Sequence, residues 1–366
     1  MTQSDASQTS NAFRGARPLN FEAGDRLRSS ASLIADATLA RDYAQRPFLL
    51  DRCGESGRTK YRKGILHNIG ALSAAVDAED SAIFLRYVAW LKIVLVNRGV
   101  ASDDLTESLR CMAAVLTDEV AGDHSRAASD VLAALEEIDS MPDAVPSFID
   151  PLCEEHNIAQ RCLVALLDLD AVAGREVLEN ALAAGVPLAR IYTGILPSLM
   201  REIGRLWQMN EISVAHEHYC SAAVQSILGG FYERVFSRAT RSGRSMLVAC
   251  VAGEQHELGA RTLADVFELN GWRTSFLGAN LPPRELGALI RRAKRPPDLI
   301  ALSATMPGHL KQLASTIDSI RDSSNVPVIV GGDLFNGCPE LAAQIGADGS
   351  ADNAGPAIAI ANALVA

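Results

Sequence analysis

From about residue 243 onward the chain alternates short β-rich runs with helical segments, and that alternation admits few folds. The runs fall at 245–253 (SMLVACVAG), 273–280 (RTSFLGAN), 297–305 (PDLIALSAT), 326–332 (VPVIVGG) and, more weakly, 348–352 (DGSAD). Helices are expected near 257–270, 283–294, 308–322 and 339–345, with one more at the end. A strand that rejoins its sheet through a helix runs parallel to its predecessor, so 243–366 is predicted to be a doubly wound α/β domain of the Rossmann-like or flavodoxin-like type. Such sheets bind ligands at the carboxyl ends of their strands.

Upstream the texture is helical throughout, which makes the chain multidomain. Residues 1–20 are polar and read as a disordered leader. An all-helical N-terminal domain is expected over 21–140. Its clearest segment is SAIFLRYVAWLKIVLVNRGV, where Phe84, Tyr87, Val88, Leu91 and Leu95 recur at helical spacing before Gly99 stops the run. Two prolines in SMPDAVPS (140–147) break the periodicity and mark a linker. Amphipathic stretches at 151–169, 171–184, 187–209 and 213–236 predict a four-helix bundle over 148–237, and SRATRSGRS (237–245) is a polar hinge.

Composition narrows the function classes. The net charge of −10 argues against nucleic-acid binding by the whole chain. The first 63 residues carry 11 Lys/Arg against 7 Asp/Glu, but no helix-turn-helix signature, so direct DNA binding is not expected. No apolar run reaches the roughly 18 residues of a membrane span, and the N-terminus has no apolar signal segment. The seven cysteines are scattered and odd in number, which suits reduced thiols and a cytoplasmic location.

Three groups of residues fall at the predicted strand ends. Glu254, His256 and Gly259 (EQHELG) follow the first strand, Ser303 and Thr305 (SAT) close the third, and Gly331 and Gly332 end the fourth. Alone each group is weak: a His after a strand is more often a surface or core histidine, and a Gly-Gly there is usually a turn. In this order and register the three groups resemble the D/E-x-H-x-x-G, S-x-T/L and G-G motifs of cobalamin-binding domains. The resemblance covers about 243–366. It implies that His256 is the metal ligand, the lower axial ligand of cobalt, with Glu254 taking its other N–H, as a carboxylate generally does for a ligating His. It also implies that Gly259, Gly331 and Gly332 clear room for the displaced nucleotide tail, and that Ser303 and Thr305 offer it hydroxyls.

The stretch WQMNEISVAHEHY (207–219) gathers chemistry just before the hinge. Ser213 is a good N-cap, and Glu217 then lies in the first turns of a helix, where a carboxylate is favoured. His216 and His218 lie about 200° apart around the helix and face opposite ways. Trp207, Glu217 and His218 (W-x9-E-H) resemble the cap of CarH-type photoreceptors, which surrounds the adenosyl group of adenosylcobalamin. The sequence departs from that pattern in two places. Gln208 stands where such sensors can carry a cobalt-binding His, which puts their post-light state in doubt. The N-terminal DNA-binding domain is replaced by unrelated helices.

The combination is most similar to the photocobilins, in which a globin-like, biliverdin-binding domain precedes a CarH-like module. That resemblance makes biliverdin a second chromophore candidate, with His67, Arg86, Tyr87, Trp90, Lys92 and Arg98 as its candidate contacts. The same residues also read as core aromatics and solvated charges of an amphipathic helix, with the domain serving oligomerisation or partner binding. The function implied is light sensing by adenosylcobalamin, read out as changed domain packing or a changed homo-oligomer such as a dimer, with a downstream signalling protein as partner and no enzymatic activity of its own. The alternative is a corrinoid methyl carrier of a methyltransferase system.

Overall fold

The computed structural model describes residues 18–236 and 242–366, apart from the side chains of 50–53 and 339. Most of the leader and the first part of the polar hinge thus lie outside the described residues. The chain divides into two compact units, one of residues 19–144 with 306–311 and one of 145–305 with 312–366.

The first unit is helical: α1 (Glu22–Gln45), α2 (Phe48–Ala78), α3 (Ser81–Val96), α4 (Ser102–Asp118) and α5 (Ser125–Glu137). Gly54 interrupts α2 with φ 59° and ψ −172°, values that favour glycine. The Asp80 carboxylate accepts from the Ala82 N–H and caps α3. Helices α1 and α2 approach closely at Gly24, where a Cβ would stand 2.1 Å from the Asp77 carboxylate. Asp77 is fully buried; it accepts from the Gly24 N–H and pairs with Arg28 at 2.7 Å. Burial pushes its pKa up to about 6 despite Arg28.

The second unit opens with α6 (Glu154–Leu167) and α7 (Ala171–Ala183). A short helical turn, Leu188–Arg190, and a π-helical turn, Ile191–Ile195, then lead into α8 (Leu196–Gln208), followed by α9 (Val214–Gly230) and α10 (Tyr232–Phe236). Asp170 caps α7 and Ser213 caps α9. Leu163, Leu178, Leu199, Ile203 and Ile227 share one core in this layer.

The sheet follows: β1 (Ser245–Cys250), α11 (Leu258–Leu269), β2 (Arg273–Phe276), α12 (Pro283–Arg292), β3 (Leu299–Ser303), α13 (Leu310–Arg321), β4 (Val328–Gly331), α14 (Pro339–Gln344), β5 (Gly349–Ser350) and α15 (Ala354–Leu364). All the ladders are parallel, as expected from the alternation, and the strand order is β2-β1-β3-β4-β5, which is flavodoxin-like. Helix α11 is shared between two cores. Ala260, Ala264 and Phe267 pack on the sheet with Met246, Val248 and Leu299, while Val266 joins the helical layer. The predicted strands run longer than the observed ones because the chain leaves the sheet early, and the residues beyond each strand end form the loops of the site.

Candidate functional site

Register places the motifs side by side. Cys250 pairs with Ser303, and Ser303 with Gly331, so the ends of β1, β3 and β4 meet in one row. The sequence order reverses between β1 and β3, which is where a doubly wound sheet opens its crevice.

The loop after β1 is held from several sides. The Glu254 side chain is fully buried, and one of its oxygens accepts from the His256 N–H at 2.9 Å and binds His256 Nδ1 at 2.5 Å. The other accepts from the Thr305 N–H at 2.5 Å, which fastens the β1 loop to the β3 loop. Asn280, which the sequence reading passed over, adds two more ties: its side chain accepts from the Gly253 N–H and its own N–H donates to the Glu254 carbonyl. A carboxylate only accepts, so Nδ1 of His256 carries a proton, and in the neutral ring Nε2 keeps its lone pair. The His256 side chain is 63% exposed. Glu254 raises its pKa, first through this hydrogen bond and then through charge, and Glu217 and Asp333 add to the effect.

A cavity of about 630 Å³ opens beside this loop. Six of the seven motif residues line it, His256, Gly259, Ser303, Thr305, Gly331 and Gly332, while the buried Glu254 does not. The glycines differ in why they are glycine. At Gly332, φ is +107° and a Cβ would stand 2.3 Å from the Ala304 carbonyl; at Gly331 it would stand 2.9 Å from the Ala351 carbonyl. At Gly259 a Cβ would meet no protein atom within 4 Å, so its own packing does not require glycine there. The cavity also has a wall from the helical layer, including Tyr192, Met200 and Arg201. Sequence reasoning missed these because nothing in the helix pattern says which face meets the sheet.

Trp207, Glu217 and His218 do not line that cavity. Trp207 is half-buried near the end of α8. Glu217 and His218 sit in the first turns of α9, with His218 Nδ1 2.6 Å from one Glu217 oxygen and the Ser221 hydroxyl donating to the other. His216 turns instead to Ser213, its Nδ1 2.7 Å from that hydroxyl. The layer is tied to the β1 loop where Gln225 donates to Glu257 at 2.7 Å.

Two parts of the chain resemble known proteins. The B12 binding domain family matches residues 244–359, and a second family of the same description matches 158–229. The chain carries B12-binding domains. The HTH-type transcriptional repressor CarA of Myxococcus xanthus is 32% identical over 140 residues, 38% of this chain and 46% of the repressor. CarH of the same organism, also an HTH-type transcriptional repressor, is 28% identical over 159 residues, 43% and 51%. The chain thus spans about half the length of these two relatives. Trimethylamine corrinoid protein 1 of Methanosarcina acetivorans is 24% identical over 204 residues, 54% of this chain and 92% of that protein.

The residues of the B12-binding domain fit cobalamin. The corrin ring supplies four nitrogens to its own cobalt, so the protein needs a single imidazole. Among the described residues no cluster of three or more His, Cys, Asp or Glu could hold a metal ion by itself, while His256 presents Nε2 beside a glycine-lined slot.

The biliverdin candidates in the helical unit are not gathered in this way. Tyr87 is buried and donates to Asn68 at 2.9 Å. Lys92 is buried too, and its ammonium donates to the Ile138 and Met141 carbonyls and pairs with Asp143 at 3.0 Å. Lys92 is thus neither the propionate partner nor the solvated charge of the two readings, because its donors already hold the α5 end and the loop after it. Lys92 lines a hollow of about 450 Å³ with Val96, Ser102 and Asp143 that includes none of the other five. Arg98 is exposed and donates to the Val94 carbonyl. His67 is exposed, with its pKa lowered by desolvation and by Lys63. Arg86 and Trp90 are half-buried on α3. Among the described residues no helix is long and apolar enough to cross a membrane.

Proposed function

We propose that this chain is a light sensor, not an enzyme, that holds adenosylcobalamin with His256 below and the Trp207, Glu217 and His218 cap above. Bound adenosylcobalamin supplies a cobalt–carbon bond that visible light breaks. The residues do the rest. Glu254 fixes the tautomer and aim of His256; Gly259, Gly331 and Gly332 keep the slot open; Ser303 and Thr305 offer it hydroxyls. Glu217, braced by Ser221, holds His218 in place, and these two with Trp207 would form the upper wall. One observation carries the reading: the Glu217–His218 pair belongs to the same unit as the loop of His256, and Glu217 lies near enough for its charge to raise the His256 pKa. The output is a change of packing or of homo-oligomeric state, passed to a downstream protein in the cytoplasm, without direct DNA binding.

The test is a visible spectrum of the protein with adenosylcobalamin in the dark and after green light, followed by gel filtration of both samples. A light-induced spectral change with an altered elution volume is expected, and tighter binding of adenosylcobalamin than of methylcobalamin. Trp207→Ala should narrow that preference. A corrinoid methyl carrier is the second reading, supported by the match along 92% of trimethylamine corrinoid protein 1. Equal affinity for the two cobalamins, with no response to light, would favour it. Biliverdin in the helical unit belongs to the sensor proposal and rests on the photocobilin resemblance, with His67, Arg86, Tyr87, Trp90 and Arg98 as candidates.

A further inference from the structure

The helical layer contributes more to the cavity than a lid. From Ile191 into α8, the residues Thr193, Pro197, Met200 and Arg201 follow helical spacing and line the cavity on one stripe. Arg201 is the one formal charge on that stripe. Its neighbours in the layer are committed elsewhere: Arg205 pairs with Glu202 and Glu211 at 2.9 and 3.0 Å, and Arg190 with Glu155 at 2.5 Å. Among the described residues Arg201 has no hydrogen-bond or ion-pair partner, and it is exposed. Asp333 and Asp352 also line the cavity, and each already accepts from the side-chain amide of an asparagine, Asn336 and Asn353. Close by, the buried Tyr192 hydroxyl faces the Asp265 carboxyl. Among the described residues the stripe thus presents one guanidinium with no acceptor of its own.

We propose that Arg201 pairs with the phosphodiester of the cobalamin nucleotide tail. The inference rests on the reading of the cavity as a cobalamin site. The periphery of the corrin ring is made of neutral amides, so the phosphodiester is the anion that an unpaired guanidinium would select. Its two non-bridging oxygens match the planar fork of an arginine. Arg201 is exposed, so water and salt screen the pair and hold its effect to about threefold to tenfold in affinity.

The experiment uses the full chain and two probes. Adenosylcobalamin has the nucleotide tail; adenosylcobinamide has the same corrin and adenosyl group but lacks the nucleotide and its phosphodiester. Arg201→Gln should weaken adenosylcobalamin binding about threefold to tenfold and leave adenosylcobinamide binding unchanged. Arg201→Lys keeps the charge and loses the fork, so it should fall between the two. The difference should shrink in about 1 M salt. An equal loss for both probes would place Arg201 against the corrin amides and overturn the proposal, as would no loss for either. If the parent protein binds neither probe, the cobalamin reading itself falls and this inference with it.

Discussion

Replacing Glu254 with glutamine tests whether the site is organised as described. The carboxylate accepts three N–H groups: two from His256 on one oxygen and one from Thr305 on the other. Glutamine offers a single carbonyl oxygen and an amide that only donates. If the carbonyl faces His256, the Thr305 N–H is left against another donor. In the opposite orientation two donors lose their acceptor. The first arrangement costs less, and a buried donor left unpaired costs about 1–3 kcal/mol. Glutamine also removes the charge that polarises the imidazole. Carboxylate partners of metal-bound histidines are worth about 10- to 100-fold in affinity, or about 1.4 to 2.8 kcal/mol. Because the better orientation keeps the His256 contacts, Glu254→Gln should lie near tenfold and Glu254→Ala near the upper end. The assay is a spectroscopic titration with adenosylcobalamin at fixed pH, alongside circular dichroism to confirm folding. A folded Glu254→Gln protein within about twofold of the parent would refute the argument.

Other substitutions probe separate parts of the structure. His256→Ala should abolish the spectrum of histidine-ligated, base-displaced cobalamin and weaken binding; an unchanged spectrum would remove His256 from cobalt. Gly332→Ala places a Cβ 2.3 Å from a backbone carbonyl at φ +107°, so a stability loss of about 1–3 kcal/mol is expected in urea unfolding. Burial raises the Asp265 pKa to about 6 from 3.8. A raised carboxyl stabilises the fold fully below its unfolded pKa and loses that contribution as pH rises through the folded one. Stability should therefore fall by about 2 kcal/mol between pH 4 and 7 relative to Asp265→Asn, and parallel curves for the two proteins would contradict this. Co-expression with a biliverdin source should yield a red-absorbing band that survives gel filtration, and Arg86→Ala or Arg98→Ala should lower it while cobalamin binding holds; no band with cobalamin intact leaves the helical unit without a bilin.

What could be read from the sequence was what repeats or has fixed spacing. The strand–helix alternation announced the parallel sheet, but several strand orders satisfy the same alternation, so the order itself was not legible. The motif residues were legible because each sits where a strand ends, and strand ends are marked by the switch from β-branched and aliphatic runs to glycine and polar residues. Illegible were the contacts that join distant segments. Glu254 was expected to hold His256; that its second oxygen takes the Thr305 backbone, 51 residues on, follows only from the register of β1 with β3. Asn280 gave no signal, because its importance comes from an N–H and a side-chain oxygen aimed at another loop. Lys92 misled for the same reason. On a helical wheel it is an interfacial cation, while in the fold it is buried by carbonyls 46 and 49 residues away.

The π-helical turn at Ile191–Ile195 has a consequence for how this site tolerates insertions and deletions. A π turn amounts to one residue more than an α-helix would hold over the same length. Remove one residue there and the helix can close to its regular pitch while the segments on either side keep their faces. A deletion within the regular turns of α8 has no such slack and rotates one side against the other by about 100°. The turn is therefore the place where a lineage can lose one residue and keep Met200 and Arg201 on the cavity wall.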